Sequence, residues 1–298
     1  MDIHAKYSLM SEPFIHDWVE HIQQLAKEQE QKLSDNKFNT AMPFIAILPS
    51  TVKTAFKIAE YLELKPNVKY MAIQLYDKFM CCQFWKVYKT ELKNGISEAS
   101  WIAICKKISQ KTKLYLMSCF QLACKMDSAS NNLGISLIRS ILRLIDSETE
   151  YTQNMIFASE MEVFKMVDFK MPFCTPFQCI EIFLAVTGLR ESPNTLNISL
   201  HLLDLTYLKH DTLYSQFHFY YVHKTNSNIE YAMKKVMLLK SNVLFLSAVV
   251  VLCTTLFLKT NVSKDRGIMV AKLAELSNTK DTDIFGMANI LLLIATQE

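Results

Sequence analysis

Apolar side chains recur at every third or fourth position through most of the chain, which is the spacing of one face of an α-helix. The first such run covers residues 15–33 and is amphipathic. Its apolar stripe consists of Ile15, Trp18, Ile22, Leu25 and Leu33. Because an isolated amphipathic helix is marginal in water, we expect this N-terminal helix to dock on another part of the protein.

Ten more helices are predicted, five on each side of the proline-bracketed linker Met171–Pro176. Those before the linker lie at about 49–64, 66–84, 109–127, 134–146 and 149–167. Those after it lie at about 175–187, 193–212, 238–259, 263–276 and 281–296. The stretch 86–108 is the least regular part of the first half, and residues 213–237 have the composition of a long connection. Proline is favoured at the first helical position, so helices should start at Pro66 and Pro176. The pattern predicts an all-α protein of two consecutive five-helix bundles.

The most apolar segment, Val243–Leu258, contains no charge and is flanked by Lys240 and Lys259. Its 16 residues fall short of the roughly 20 that a membrane-spanning helix needs. We therefore interpret it as the buried central helix of its bundle, with a membrane span as the less favoured alternative.

The composition argues against several classes of protein. Only five of the 298 residues are glycine, and no glycine-rich phosphate-binding motif occurs. The net charge of +3 is small for a general polyanion binder. The eight cysteines form no C-x-x-C pair and the seven histidines have no zinc-ligand spacing, so we predict reduced thiols, no metal and no cofactor. No signal peptide and no catalytic motif are recognisable, and we predict a protein that is not an enzyme.

Two charged residues lie in helices that otherwise have the pattern of core. Lys125 ends the run LYLMSCFQLACKM, and Glu160 lies in ASEMEVFKMVDF with Phe164 one helical turn after it. Taken alone, they are most simply a lysine that extends its amine to water and a solvated glutamate.

Three runs of the sequence resemble the helices of a cyclin box. FKIAEYLELKPNVKYMAIQLYDKFM (56–80) is similar to the end of the first helix and the whole of the second, with AIQLYDKFM where cyclins carry a pattern like AVNYLDRFL. LMSCFQLACKM (116–126) resembles the third helix, and ASEMEVFKMVDFKMPFCTP (158–176) resembles the fifth helix and the exit linker. Each motif is weak alone, but their order and spacing make the resemblance to the cyclin family specific.

Further runs resemble the meiotic, crossover-associated branch of that family. They lie at 21–31, 100–125, 159–169 and 202–214. The last of them, LLDLTYLKHDTLY, lies outside the ordinary cyclin box. This resemblance implies a nuclear protein at recombination sites, with a cytoplasmic pool left open. It also implies recombination or DNA-repair proteins as further partners.

By the same resemblance, Lys125 and Glu160 take the places of the lysine–glutamate pair with which cyclins capture backbone carbonyls of a cyclin-dependent kinase. Phe164 and Phe169 match positions at which the fifth helix presents apolar anchors to the kinase. The resemblance thus implies a heterodimer in which docking holds the mobile helix of the kinase in its active position.

The substrate-docking patch of cell-cycle cyclins is altered in this chain. The arginine of that patch becomes Leu48, its tryptophan Thr54 and its glutamate Lys57, although the acidic partner of the arginine is retained as Asp77. We therefore expect R-x-L motifs not to bind.

Lysines are concentrated between residues 86 and 113. They are Lys86, Lys89, Lys93, Lys106, Lys107, Lys111 and Lys113, against Glu91 and Glu98. A solvated connection is the simpler interpretation. The alternative is a patch for an acidic partner at Lys106, Lys107, Lys111 and Lys113 or a contact with the DNA backbone, and direct DNA binding is the less expected of the two.

The sequence predicts three parts: a docking helix and linker over 1–46, a first cyclin box over 47–170 and a divergent second bundle over 171–298. The predicted function is to bind a cyclin-dependent kinase and promote the designation and maturation of meiotic crossovers. One alternative is a kinase-independent scaffold that recruits recombination or replication-repair factors. A nucleic-acid-binding cyclin fold of the general transcription factor type is a third, and the missing zinc ribbon argues against it.

Overall fold

The structure is a computed structural model that describes residues 17–24, 27, 47–94, 98–127, 133–172, 174–225, 229–258 and 266–297. Within these ranges, side chains are described except at 91–94, 98–101, 107, 225 and 266. All regular elements in these ranges are α-helices, and no strand occurs in them. The prediction of an all-α protein is confirmed.

The helices are numbered from the N-terminus. They are α1 (17–24), α2 (Pro49–Tyr61), α3 (Pro66–Asn94), α4 (Glu98–Met126), α5 (Ile135–Ile145), α6 (Gln153–Met166), α7 (Pro176–Val186), α8 (Thr195–Leu208), α9 (His210–Thr225), α10 (Ile229–Ser241), α11 (Val243–Phe257), α12 (Arg266–Ser277) and α13 (Asp281–Gln297). Pro66 and Pro176 are the first residues of their helices, as predicted.

The chain divides into two compact units, and the first of them is Phe44–Thr175, which contains α2–α6. Its core is built on α3 and α4, which pack against each other, and α6 packs on α4. Tyr70, Phe79, Met117 and Phe120 are among the large side chains that this core buries completely. The stretch 86–108 is more regular than predicted, because α3 continues to Asn94 and α4 begins at Glu98.

The second unit combines Met1–Pro43 with Pro176–Glu298. The predicted central helix is present as α11. Eleven of its 15 residues are buried, namely all from Leu244 to Thr255 except Leu246. Helices α7, α8, α12 and α13 all pack against it. Burial on every side explains why this helix lacks a polar face.

The prediction of five helices after the linker is wrong, because residues 213–225 and 229–237 are helical. They belong to α9 and α10, and Pro176–Glu298 contains seven helices in its described part. Leu213, Phe217 and Tyr221 recur one turn apart on α9 and are buried. The ring of Phe217 packs against Phe245 of α11 with centroids 5.9 Å apart.

No single helix in the described ranges is long and apolar enough to cross a membrane. Helices α10 and α11 together meet that test by length and composition, with a bend of 81° between them. Because α11 is buried among other helices, burial accounts for its apolar character.

Helix α1 is held to α12 of the same unit by the side chain of Gln23. The amide Nε2 of Gln23 donates to the carbonyl oxygens of Glu275 at 3.0 Å and Leu276 at 2.9 Å. Val19 and Ile22 are buried, whereas Trp18 is partly exposed. The other predicted stripe residues, Ile15, Leu25 and Leu33, lie outside the described residues.

Candidate functional site

An open groove runs along the surface of the unit Phe44–Thr175 between α4 and α6. Its volume is about 260 Å³. It is lined by Leu122, Lys125, Phe157, Glu160, Met161 and Phe164. Three of the four residues predicted to bind a kinase therefore line one depression.

Buried polar contacts set the position of α6 on α4. The hydroxyls of Ser118 and Ser159 share a hydrogen bond of 2.7 Å in the core. The start of α6 is fixed by Thr152, whose hydroxyl accepts from the backbone N–H of Met155 at 3.3 Å. Because Glu160 follows Ser159 directly, its side chain leaves α6 at the edge of this contact and reaches α4.

Lys125 and Glu160 form an ion pair across the groove. The amine Nζ of Lys125 donates to Oε1 of Glu160. The lysine side chain is 49% exposed and the glutamate side chain 12% exposed. A lysine amine has three donor hydrogens, so the pair leaves donors that face solvent.

A residue that the sequence analysis missed completes this pair. Gln121 is 3% exposed, and its Nε2 donates to Oε2 of Glu160 at 3.3 Å. Both oxygens of Glu160 are therefore engaged, one by Gln121 and one by Lys125. The Oε1 atom of Gln121 is buried with no hydrogen-bond partner among the described residues. The available signal was the spacing of Gln121 and Lys125, which places both on one face of α4.

Phe164 and Phe169 contact each other at the C-terminal end of α6. Their ring centroids are 5.0 Å apart and the rings are nearly perpendicular. Phe164 lines the groove, whereas Phe169 lies beyond the helix end and is 57% exposed. The chain turns there through two left-handed residues, Asp168 (φ 58°) and Phe169 (φ 56°). The N–H of Phe169 donates to the carbonyl of Phe164 at 2.9 Å and closes the turn.

Exposed apolar side chains surround the ion pair. Met126, Phe157, Met161 and Phe169 are each about half exposed or more. Single exposed apolar residues are ordinary on a protein surface, but a group of them beside one groove is typical of a protein-binding site.

The predicted acidic-partner patch is only partly available. Lys106 and Lys111 are exposed, and the side chain of Lys107 lies outside the described residues. Lys113 is engaged, because its Nζ lies 3.3 Å from Oδ1 of Asp146. A hydrogen bond from the Tyr151 hydroxyl, together with Lys113, holds the pKa of Asp146 below its usual value.

The residues at the altered docking patch lie on or before α2. Leu48 precedes the helix and is 67% exposed, and Lys57 is exposed on its surface. The hydroxyl of Thr54 donates to the carbonyl of Ser50 at 2.9 Å. This face therefore presents an aliphatic side chain and an ammonium group where an R-x-L motif would need an acid.

A metal site is not present in the described part of the chain, where no three His, Cys, Asp or Glu side chains lie close enough together to ligate an ion. The eight cysteines are free thiols, and four of them, Cys119, Cys124, Cys179 and Cys253, are buried.

The chain is similar to Cyclin N-terminal domain-containing protein 1 of Homo sapiens and of Mus musculus. It is 26% identical to the human protein over 174 residues, which are 56% of this chain and 52% of the human protein. It is 27% identical to the mouse protein over 171 residues, which are 55% of this chain and 51% of the mouse protein. The resemblance to cyclins is confirmed.

The chain spans about half the length of the curated relatives that it matches. No family model and no solved structure matches it. The all-helical architecture is consistent with a cyclin-like fold. The division into two cyclin-type bundles stays a prediction.

Proposed function

We propose that this cyclin-like chain is a non-catalytic regulatory subunit that binds a cyclin-dependent kinase through the groove between α4 and α6. The observation that carries the proposal is the ion pair of Lys125 and Glu160. It lies in an apolar groove, at the residues that the resemblance to cyclins had singled out.

The charges of the groove would orient the partner. Glu160 accepts a hydrogen bond from the buried amide of Gln121 and fixes the direction of the Lys125 amine. The remaining donors of that amine would bind backbone carbonyls at one end of a kinase helix, where unpaired carbonyls are available. Once water is excluded, such charge-assisted hydrogen bonds are stronger than neutral ones.

The apolar residues would supply most of the affinity. Phe157, Met161 and Phe169 are each roughly half exposed in the free chain, so docking can remove further apolar surface from water. Full burial of a side chain of this size stabilises by about 1.5–3 kcal/mol. A few anchors that lose contact with water near the centre of an interface usually carry most of its binding energy.

The effect on the kinase would be a shift of population. A kinase whose mobile helix moves between an outward and an inward position is active only in the inward one. A partner that binds the inward form more tightly shifts the equilibrium toward it. No chemistry is needed from the regulatory subunit.

We further propose that the complex acts in the nucleus in the designation and maturation of meiotic crossovers, together with recombination or DNA-repair proteins. This part rests on the resemblance of residues 21–31, 100–125, 159–169 and 202–214 to the crossover-associated branch of the cyclin family.

A kinase-independent scaffold is the second candidate function. The altered patch favours it, because Leu48, Thr54 and Lys57 remove the means by which a cell-cycle cyclin recruits substrates. A scaffold of this kind would use its surfaces to gather recombination or replication-repair factors without activating a kinase.

Co-expression with candidate cyclin-dependent kinases, followed by size-exclusion chromatography and a kinase assay, separates the two candidates. Met161→Asp places a charge in the groove at an exposed position and should abolish the complex. Ile268→Asp makes the same change at an exposed position on α12 and should leave it intact. If no kinase co-elutes with the wild-type chain, or if both variants still bind, the scaffold is the better explanation.

A further inference from the structure

Helices α3 and α4 extend well beyond the core that they help to form. The last buried residue of α3 is Phe79, and the first buried residue of α4 is Leu114. None of the side chains described between them is buried. We call residues 80–94 of α3 and 98–113 of α4 the arm. At about 1.5 Å per residue, its helices are about 22–24 Å long.

The arm is strongly basic. It contains seven lysines and two glutamates and no arginine, which gives a net charge of +5. The whole chain carries +3, so the remainder of the chain is net negative. Lys86, Lys89, Lys106, Lys111 and Lys113 are exposed, and Lys113 also pairs with Asp146 at the base of the arm.

The arm also exposes apolar surface. Ile102 is 61% exposed, and Lys106 lies one turn after it on the same face of α4. On α3, Phe84 and Trp85 each pack against Tyr88, with centroids 5.9 Å and 5.8 Å apart, and all three side chains are only partly buried. Two helices that pack only against each other bury one apolar stripe each. A third helix that packs across both can bury the apolar surface that they leave exposed.

From these observations we infer that the arm is a docking surface for an acidic amphipathic helix of a partner protein. The apolar face of that helix would cover Ile102 and the partly exposed aromatic rings. Its flanking glutamates and aspartates would lie against Lys86, Lys89 and Lys106. This is the helix-in-groove mode of recognition, with lysines setting the orientation.

An acidic helix fits this surface better than a nucleic acid. The phosphate backbone offers no apolar face to bury Ile102. The arm also lacks arginine, the residue best suited to bidentate phosphate and base contacts. The surface shares no residue with the groove between α4 and α6, so either proposal can fail without the other.

The test uses the full chain and a fluorescent synthetic peptide of about three heptads, with leucine at positions a and d and mostly glutamate elsewhere. Two controls accompany it: a permuted peptide of the same composition without an apolar face, and a fluorescent DNA duplex of similar length. Binding is followed by fluorescence anisotropy near physiological ionic strength, where weak charge contacts are screened.

The arm variant K86E/K89E/K106E should bind the amphipathic peptide about tenfold more weakly or worse. The matched variant K53E/K57E/K234E reverses three exposed lysines outside the arm, so it has the same net charge and should bind like the wild type. Ile102→Ser leaves the charge unchanged and should also weaken binding. Thermal melts check that each variant is folded.

Several results would overturn the proposal. One is that the amphipathic peptide does not bind measurably, and another is that the permuted peptide binds equally well. A third is that the arm variant and its matched control lose the same affinity for the amphipathic peptide. Tighter binding of the DNA duplex would assign the arm to nucleic acid instead. Self-association of the chain that disappears in the arm variant would make a second copy the occupant.

Discussion

Removing either member of the Lys125–Glu160 pair should weaken kinase binding more than it lowers folding stability. The expected loss of folding stability differs between the two residues because their burial differs. Lys125 is half exposed, so Lys125→Ala should cost less than about 1 kcal/mol of folding stability. Glu160 is nearly buried and accepts from both Lys125 and Gln121. Glu160→Ala leaves the amide of Gln121 buried without its acceptor and should cost about 1–3 kcal/mol.

Kinase binding should respond more strongly than folding. Truncating one member of a hydrogen-bonded charge pair at a buried interface costs about 2–5 kcal/mol, which is roughly 30-fold to several-thousand-fold in Kd. Because Lys125 and Glu160 act as one unit, the double variant should lose less than the sum of the single losses.

The assay is a double-mutant cycle in which isothermal titration calorimetry measures the Kd for the kinase and denaturant titration measures stability. Glu160→Gln serves as a conservative control, because it keeps the shape of the side chain and removes the charge. Unchanged kinase affinity in folded variants would refute the proposed docking role and leave an ordinary surface ion pair. Unfolding of both single variants would show that the pair is structural.

Three more outcomes are expected. Gln121→Leu removes the buried amide that orients Glu160. The kinase should therefore bind several-fold more weakly, a loss of about 1 kcal/mol, while the melting temperature changes little. An unaltered Kd would contradict the positioning role of Gln121. His210 is buried near Lys240, and burial together with that charge lowers the pKa of its imidazole to about 4. As the pH falls, the imidazole is therefore protonated in the unfolded chain before it is protonated in the folded one. The free energy of unfolding should drop by about 3 kcal/mol between about pH 6.5 and pH 4. Denaturant titrations at several pH values should show a weaker pH dependence for His210→Gln. An R-x-L peptide should bind no better than its alanine-substituted control in fluorescence anisotropy, because Leu48 and Lys57 offer no acidic partner; specific micromolar binding would show a substitute surface.

Most helices could be predicted because each buries one apolar stripe. The exceptions have physical causes. On α9, the buried Leu213, Phe217 and Tyr221 are separated by polar and aromatic residues, of which Ser215, Gln216 and Phe219 are exposed, so the overall composition hides a regular period. In the arm, no described side chain is buried on either helix, so the contrast between faces that marks an amphipathic helix is weak.

The candidate site was predictable where it depends on local patterns and not where it depends on packing. Lys125 and Glu160 stood out as charges in apolar runs, and the resemblance to cyclins paired them. Gln121 did not stand out, because its partner is 39 residues away and only the packing of α6 on α4 brings the two together. The pairing of Lys113 with Asp146 was hidden for the same reason.

In the proposed kinase complex, the turn that carries Phe169 sets thermostability and kinase binding against each other at one residue. A left-handed backbone costs a bulky side chain about 1–2 kcal/mol relative to glycine, and Phe169 adopts it while leaving most of its ring in solvent. Selection for heat resistance alone should therefore drive Phe169→Gly. Selection for kinase binding should keep the aromatic ring. In a library screened separately for heat resistance and for kinase binding, position 169 should be enriched in glycine by the first screen and in aromatic residues by the second. The residue found at this position in a related protein would then indicate which of the two selections has acted on it.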